Sequence, residues 1–308
     1  IQIEATVKGQ SDLDLASFNR DFRISMTSYS AQVLLPDLMP KLLAAGVLPV
    51  KGDNWGEALA KLHNKGPVSL VLRPTDYKLR LLDAPNVPAE ELKSAVRWQI
   101  QDMLDFHAND GTVDVLEVPH PEHLTHVRQI FAVAAKNSLL AEETAFATGA
   151  GLSLGIIDII ETAQRNLAIR LETKGRALAA FSFIETGGLL TLTLDGELCM
   201  ARTLGVNQSL LESGDLDSAL ERLTLEIQRT LDHFDRQFGG IPVDRLLLVP
   251  MEHAERLRDG LAGNLALPVE AMNLSNVLDT AAFPDVNALP PPCFHAIGAA
   301  LRMEVTKP

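Results

Sequence analysis

The stretch Glu185-Thr186-Gly187-Gly188 puts a carboxylate, a hydroxyl and two glycines between the apolar runs GRALAAFSFI and GLLTLTLDG. Those residue types at a strand-to-strand turn suit a phosphate loop. The carboxylate at the strand end orients water and Mg²⁺, the hydroxyl bonds a phosphate oxygen, and the glycines leave backbone N–H groups free to face the phosphate. The same four residues also suit a plain hairpin turn, in which glycine supplies positive φ. On this stretch alone both readings stand.

Other residues with chemical potential are less well supported. His120, His123 and His126 recur every third residue, but Pro119 and Pro121 make the segment a loop, and of carboxylates only Glu122 accompanies them. Asp232, His233 and Asp235 fall on a long helical pattern, where His233 reads as a half-buried structural residue beside the apolar stripe. Cys199 and Cys293 lie among apolar residues, and only Arg202 near Cys199 could activate a thiolate. No G-x-S-x-G elbow, Walker A sequence or G-x-G-x-x-G fingerprint occurs.

The elements that must carry these residues are of mixed type. Three strands, GRALAAFSFI, GLLTLTLDG and ELCMARTLG, follow one another through short turns at Glu185–Gly188 and Asp195-Gly196, a meander. Leu216, Leu220, Leu223, Ile227, Leu231, Phe234 and Phe238 recur at gaps of three or four, predicting a long amphipathic helix that ends at Gly239-Gly240. VDRLLLVP reads as a buried strand, EHAERLRDGLAGNL as a helix and PVEAMNLSN as a returning strand. Upstream, PVSLVLRP is a continuous apolar run for a central strand, and YKLRLLDAP alternates like an edge strand. PAEELKSAVRWQIQDML is a helix, with Pro88 in its first turn, Glu90 and Glu91 at its positive end, and Leu92, Ala95, Val96, Ile100, Met103 and Leu104 on its apolar face. Hairpins and helix-separated strands in one chain predict mixed α/β sheets.

Composition narrows the function classes. A net charge of −13 with no basic cluster argues against nucleic-acid binding. Two cysteines suit a reducing compartment better than a disulfide framework. No apolar run approaches the ~20 residues of a spanning helix, so the expected location is cytoplasmic, with any membrane link through a partner.

The block YKLRLLDAPNVPAEELKSAVRWQIQDMLDF followed by TVDVLEVP resembles the MshI group of MSHA pilus biogenesis proteins, relatives of PilM, the actin-like component of type IV pilus machines. The similarity rests on Pro85 and Pro88 flanking Val87, Glu91-Leu92, Ala95-Val96-Arg97-Trp98 and Asp114-Val115. It continues through GIIDIIETAQRNLA, the meander, the long helix and RLLLVP, over residues 40–302. The resemblance implies an actin-like ATPase fold of two RNase-H-like halves with an inserted small subdomain. Residues 26–73 and 136–175 would form the first half, 74–135 the insert and 176–308 the second half, with 1–25 unassigned. The last helix would pack back on the first half. It also implies a partner: the cytoplasmic N-terminal tail of a bitopic inner-membrane pilus assembly protein, held in a groove bordered by the insert. Arg97 and Trp98 are the candidate contacts, with Trp98 otherwise a core residue of the insert.

Departures from the family's pattern bear on chemistry. The first phosphate loop, an Asp-x-Gly stretch with Ser or Thr and Lys, is missing; MTSYSAQVLLPD has hydroxyls but no glycine. The second is altered, with Glu185 where Asp is usual. On the adenine side, Val249-Pro250-Met251-Glu252 replaces a Gly-Gly pair, with a proline that lacks an N–H and side chains too bulky for close approach. The expectation is a non-catalytic scaffold with no metal site and no required cofactor, in which Glu185, Thr186, Gly187 and Gly188 are a vestigial phosphate loop. The alternative is a nucleotide-dependent actin-like ATPase of the same machinery, binding ATP with Mg²⁺.

Overall fold

The computed structural model describes residues 2–5, 22–25, 67–121, 127–149, 153–208, 216–251, 254–276, 287 and 291–302. The helix expected at NWGEALAKLHNKG and the stretch MTSYSAQVLLPD lie outside them.

The meander is the centre of a five-stranded sheet. β8 (Ala177–Ile184), β9 (Gly187–Leu194) and β10 (Glu197–Leu204) pair antiparallel, and β11 (Val243–Leu248) and β12 (Val269–Ala271) then run parallel to β8, giving the order β10-β9-β8-β11-β12. Three meander strands followed by parallel strands reached through helices is the arrangement expected of an RNase-H-like half. The Asp195-Gly196 turn has φ of 50° and 86° at its two residues, the left-handed pair that a tight hairpin requires.

Period-two alternation sorts these strands between two cores. Ala179, Phe181, Leu190, Leu192, Leu246 and Leu248 face one side. There they meet α4 (Leu216–Gln237) and α5 (Ala254–Ala262) through Leu223, Ile227, Phe234, Leu257 and Leu261. Leu178, Ala180, Leu247 and Val249 face the other side, against Leu167 of α3 (Ile160–Ala168) and Phe294 and Ala296 of α6 (Pro291–Ala300). The long-helix spacing is thus realised as a buried stripe.

A second sheet has the order β2-β1-β3-β7, from β1 (Gln2–Ala5), β2 (Phe22–Ser25), β3 (Pro67–Val71) and β7 (Ser153–Asp158). β3 and β7 are parallel, the other two pairings antiparallel. α6 lies against β1, β2 and β3 as well as α3, so α3 and α6 form a seam between the two sheets. α2 (Asn137–Gly149) leads into β7.

A third, three-stranded sheet comes from the segment between β3 and α2: β4 (Tyr77–Asp83), β5 (Gly111–Glu117) and β6 (Gln129–Lys136), in the order β4-β6-β5. One face is covered by α1 (Ala89–Ile100), whose Val96 and Ile100 pack on Leu82, Val113, Ile130 and Ala132. The opposite face presents Leu79, Leu81, Leu116 and Phe131 to the core of the five-stranded sheet. α1 gives way to a 3₁₀ turn at Gln101–Met103, which leaves Met103 exposed where the helical spacing had placed it on the apolar face.

Candidate functional site

The turn between β8 and β9 has two residues, with Ile184 paired to Gly187 and Phe183 to Gly188. Glu185 and Thr186 are exposed, whereas both glycines are buried. Gly187 has φ +138°, and a Cβ there would lie 2.4 Å from the Leu204 carbonyl oxygen. A Cβ on Gly188 would lie 2.6 Å from the Phe181 ring. Each glycine is therefore required by the protein's own packing, one by the end of β10 and one by an aromatic ring. Facing the turn is Arg73, just past β3. Its guanidinium is engaged by Asp76 through Nε at 2.7 Å and Nη2 at 3.0 Å. The Asp76 hydrogen bond chiefly raises its pKa, and Glu185 adds to the effect from across the gap.

Beneath the hairpin is a buried polar network that sequence patterns did not reveal. The Ser182 hydroxyl donates to Gln164 Oε1 at 2.5 Å, and Gln164 Nε2 donates to the Ala180 carbonyl and to Thr191 Oγ1, each at 2.9 Å. His295 Nε2 lies 3.2 Å from Ser182 Oγ and 3.4 Å from Gln164 Oε1. With the serine proton given to Gln164, Nε2 must carry the imidazole proton. Burial pushes the His295 pKa down to about 4. These groups tie β8, β9, α3 and α6 into one structural seam.

The network has a pH consequence. His295 binds a proton near pH 6.5 when unfolded and near 4 when folded. The unfolded chain therefore holds more protons between those values, and stability falls as pH drops from 6.5 to 4, by up to about 3 kcal/mol. Glu161, whose burial raises its pKa, acts in the opposite sense. Comparison with His295→Gln by denaturant titration isolates the histidine, and the variant should show a flatter slope over that window.

A second polar seam joins the inserted sheet to α3. The Tyr77 hydroxyl donates to Glu161 Oε2. Burial, reinforced by Glu161, holds the phenol well above its ordinary pKa. At the end of β7, Asp158 accepts from the Ile159 amide at 3.0 Å and from the Thr162 hydroxyl, and pairs with Arg302 at 3.3 Å.

On the inserted subdomain, Trp98 is 63% exposed on the outer side of α1, so the reading of it as a core residue is corrected. Val96 and Ile100, two residues to either side, take the inward positions. Arg97 beside it is partly buried. Neither lines the groove on the opposite face of the sheet, which has a volume of 410 Å³ and walls from β4, β6, β10 and α4. His233 is exposed at that groove and not half-buried.

His120 lies in a loop beside Glu117, Arg128, Asp195 and Glu197, while His123 and His126 lie outside the described residues. Among the described residues no group of three or more His, Cys, Asp or Glu could hold a metal. No helix among them is long and apolar enough to cross a membrane. Cys199 and Cys293 are both buried.

Comparison with solved structures defines the class of fold. A chain of the PilM–PilN type IV pilus biogenesis complex superposes with a TM-score of 0.60 at 18% identity, over 92% of this chain and 95% of that one. The protein therefore has an actin-like ATPase fold, mixed α/β, as the order of its sheets implied. Looser similarities include a Bacteroides thetaiotaomicron protein with an actin-like ATPase fold (TM-score 0.42, 12% identity, 74% of this chain and 79% of that one). The cytoplasmic domain of EpsL, an inner-membrane component of the Vibrio cholerae type II secretion system, is also similar (TM-score 0.36, 13% identity, 63% and 67%). No family model and no curated protein sequence matches.

Proposed function

We propose that the chain is a PilM-like protein of the MshI group, a cytoplasmic scaffold in the assembly platform of a type IV, MSHA-like pilus. In this reading it binds the cytoplasmic N-terminal peptide of a bitopic inner-membrane protein and does not turn over ATP. The observation that carries it is the match to a chain of the PilM–PilN complex over nearly the full length of both. Two features support the finer statement. The glycines of the vestigial loop serve internal packing, and Trp98 stands on the inserted subdomain as a large exposed aromatic, the kind of residue that dominates binding energy at interfaces.

The test is recovery of partners from solubilised membranes on immobilised protein. One bitopic pilus assembly protein should be captured, and Trp98→Ala should reduce capture at least tenfold while leaving stability within about 0.5 kcal/mol, as for an exposed site. Capture of no such protein sinks the proposal. Saturable ATP–Mg²⁺ binding with turnover by the same preparation sinks the non-catalytic part of it.

A further inference from the structure

Tyr77 and Glu161 meet at the root of the inserted sheet. The chain leaves β3 through a turn closed by the Arg73–Asp76 ion pair and by the Asp76 amide, which donates to the Arg73 carbonyl at 2.9 Å. It returns along β6, where Ala135 is paired with Tyr77, and passes directly into α2. Tyr77, the first residue of β4, therefore stands on the stem that carries the insert. Its ring is buried with Leu70, Leu72, Ala135 and Ile159. Its hydroxyl donates to Glu161 in the first turn of α3, 84 residues along the chain.

Glu161 is the unusual member of the pair. Its side chain is buried, and a buried carboxylate is costly unless a cation or several donors meet it. The side chain that meets it is a neutral phenol. The charged groups of the surrounding elements carry the same sign or are engaged elsewhere. Asp158, at the end of β7, is buried and opposes a second negative charge beside it. Arg302, beyond α6, pairs with Asp158 at 3.3 Å. Arg73, beyond β3, is held by Asp76. On α3 itself, Arg165 pairs with Glu197 of β10 at 3.3 Å. On α6, His295 meets Ser182 of β8 and Gln164 of α3. Glu185, in the turn between β8 and β9, is exposed. A carboxyl so placed favours its neutral form, in which it still accepts the Tyr77 hydrogen bond. Burial raises its pKa accordingly.

We propose that Tyr77 and Glu161 form a proton-operated latch at the root of the insert: Glu161 holds a proton while the stem is closed on α3 and releases it to water when the stem opens. Opening frees the phenol and hydrates the carboxylate. The Glu161 pKa is higher closed than open, so the closed stem binds more protons, and opening becomes easier as pH rises above the ordinary carboxylate value of 4.5. The latch rests on the contacts of Tyr77 and Glu161 and does not depend on the proposed function.

Amide hydrogen exchange along residues 72–77 of the full chain, from about pH 4 to about pH 7 and corrected for intrinsic rates, tests it. The Leu72 amide, bonded to the Asp158 carbonyl at 2.9 Å, and the Asp76 amide report opening of the stem, and amides of α4 report unfolding as a whole. Protection of the stem relative to α4 should fall at least about threefold over this range. Glu161→Gln is neutral throughout and keeps an acceptor for Tyr77, so its protection should not fall. Tyr77→Phe lacks the hydrogen bond and should be less protected than Glu161→Gln at every pH. The chain has 2 tyrosines. With both labelled at Cζ, the resonance missing from Tyr77→Phe should shift over the same range in the wild type and stay fixed in Glu161→Gln. Stem protection that is flat in the wild type, an equal fall in Glu161→Gln, a fall shared equally by α4, or an unmoved wild-type Tyr77 resonance overturns the proposal. The wild-type measurements alone can do so, whatever the folding of the variants.

Discussion

Alanine at position 298 is expected to cost the fold at least about 3 kcal/mol, the upper range for overpacking a close contact. A Cβ on Gly298 would lie 2.0 Å from the Ala163 carbonyl oxygen and 2.8 Å from its carbonyl carbon. Both are backbone atoms of α3, so relief requires shifting one helix against the other. That shift is opposed by Asn166, whose side chain donates to the Gly298 carbonyl at 3.0 Å, and by Ser182 and Gln164, which meet His295 on the same helix. Chemical denaturation measures the effect, with soluble yield as the readout if the variant does not fold. Gly205→Ala is the control, since a Cβ there meets nothing within 4 Å; its change should stay within about 0.5 kcal/mol. A Gly298→Ala variant as stable as that control would contradict the packing of α3 on α6.

Gly187→Ala should lose about 2–5 kcal/mol, by the same amount with and without ATP–Mg²⁺. Two costs combine: left-handed backbone strain on a residue with a Cβ, of the order of 1–2 kcal/mol, and the 2.4 Å approach to the Leu204 carbonyl, an overpacking cost of about 1–3 kcal/mol. Gly196→Ala separates them, because Gly196 has φ +86° but open space around its Cβ position. It should lose only about 1–2 kcal/mol. If Gly187→Ala leaves stability intact and instead abolishes an ATP-induced rise in melting temperature, the glycine serves a nucleotide and the structural account of this turn fails.

How much of this could be read beforehand depends on the range of the signal. The meander, the Asp195-Gly196 turn and the long helix are written in neighbouring residues: alternation at period two, an Asp-Gly pair with positive φ, and apolar gaps of three or four. The inserted sheet announced itself in the same way, through YKLRLLDAP and TVDVLEVP. The loop glycines were visible, but their purpose was not, because Leu204 and Phe181 are brought to them only by strand pairing. The His295 network was hidden for the same reason: its histidine is 113 residues from Ser182 and 131 from Gln164. Trp98 was ambiguous because it sits between the inward-facing Val96 and Ile100, and only the packing direction of α1 decides the matter.

The two buried thiols give the molecule a pair of built-in clocks. Cys199 lies in the core between the meander and α4, and Cys293 lies on α6 in the seam. Desolvation holds both in the protonated form, Cys293 with its pKa pushed up to about 12 and Cys199 further still. A protonated thiol is not a nucleophile, so alkylation proceeds only when the surrounding structure opens. The labelling rate at Cys199 counts openings of the second half, and the rate at Cys293 counts separations of α6 from its neighbours. Because the reagent reads each event at a named atom, the two rates tell apart a chain that opens along its seam from one that opens only by unfolding altogether.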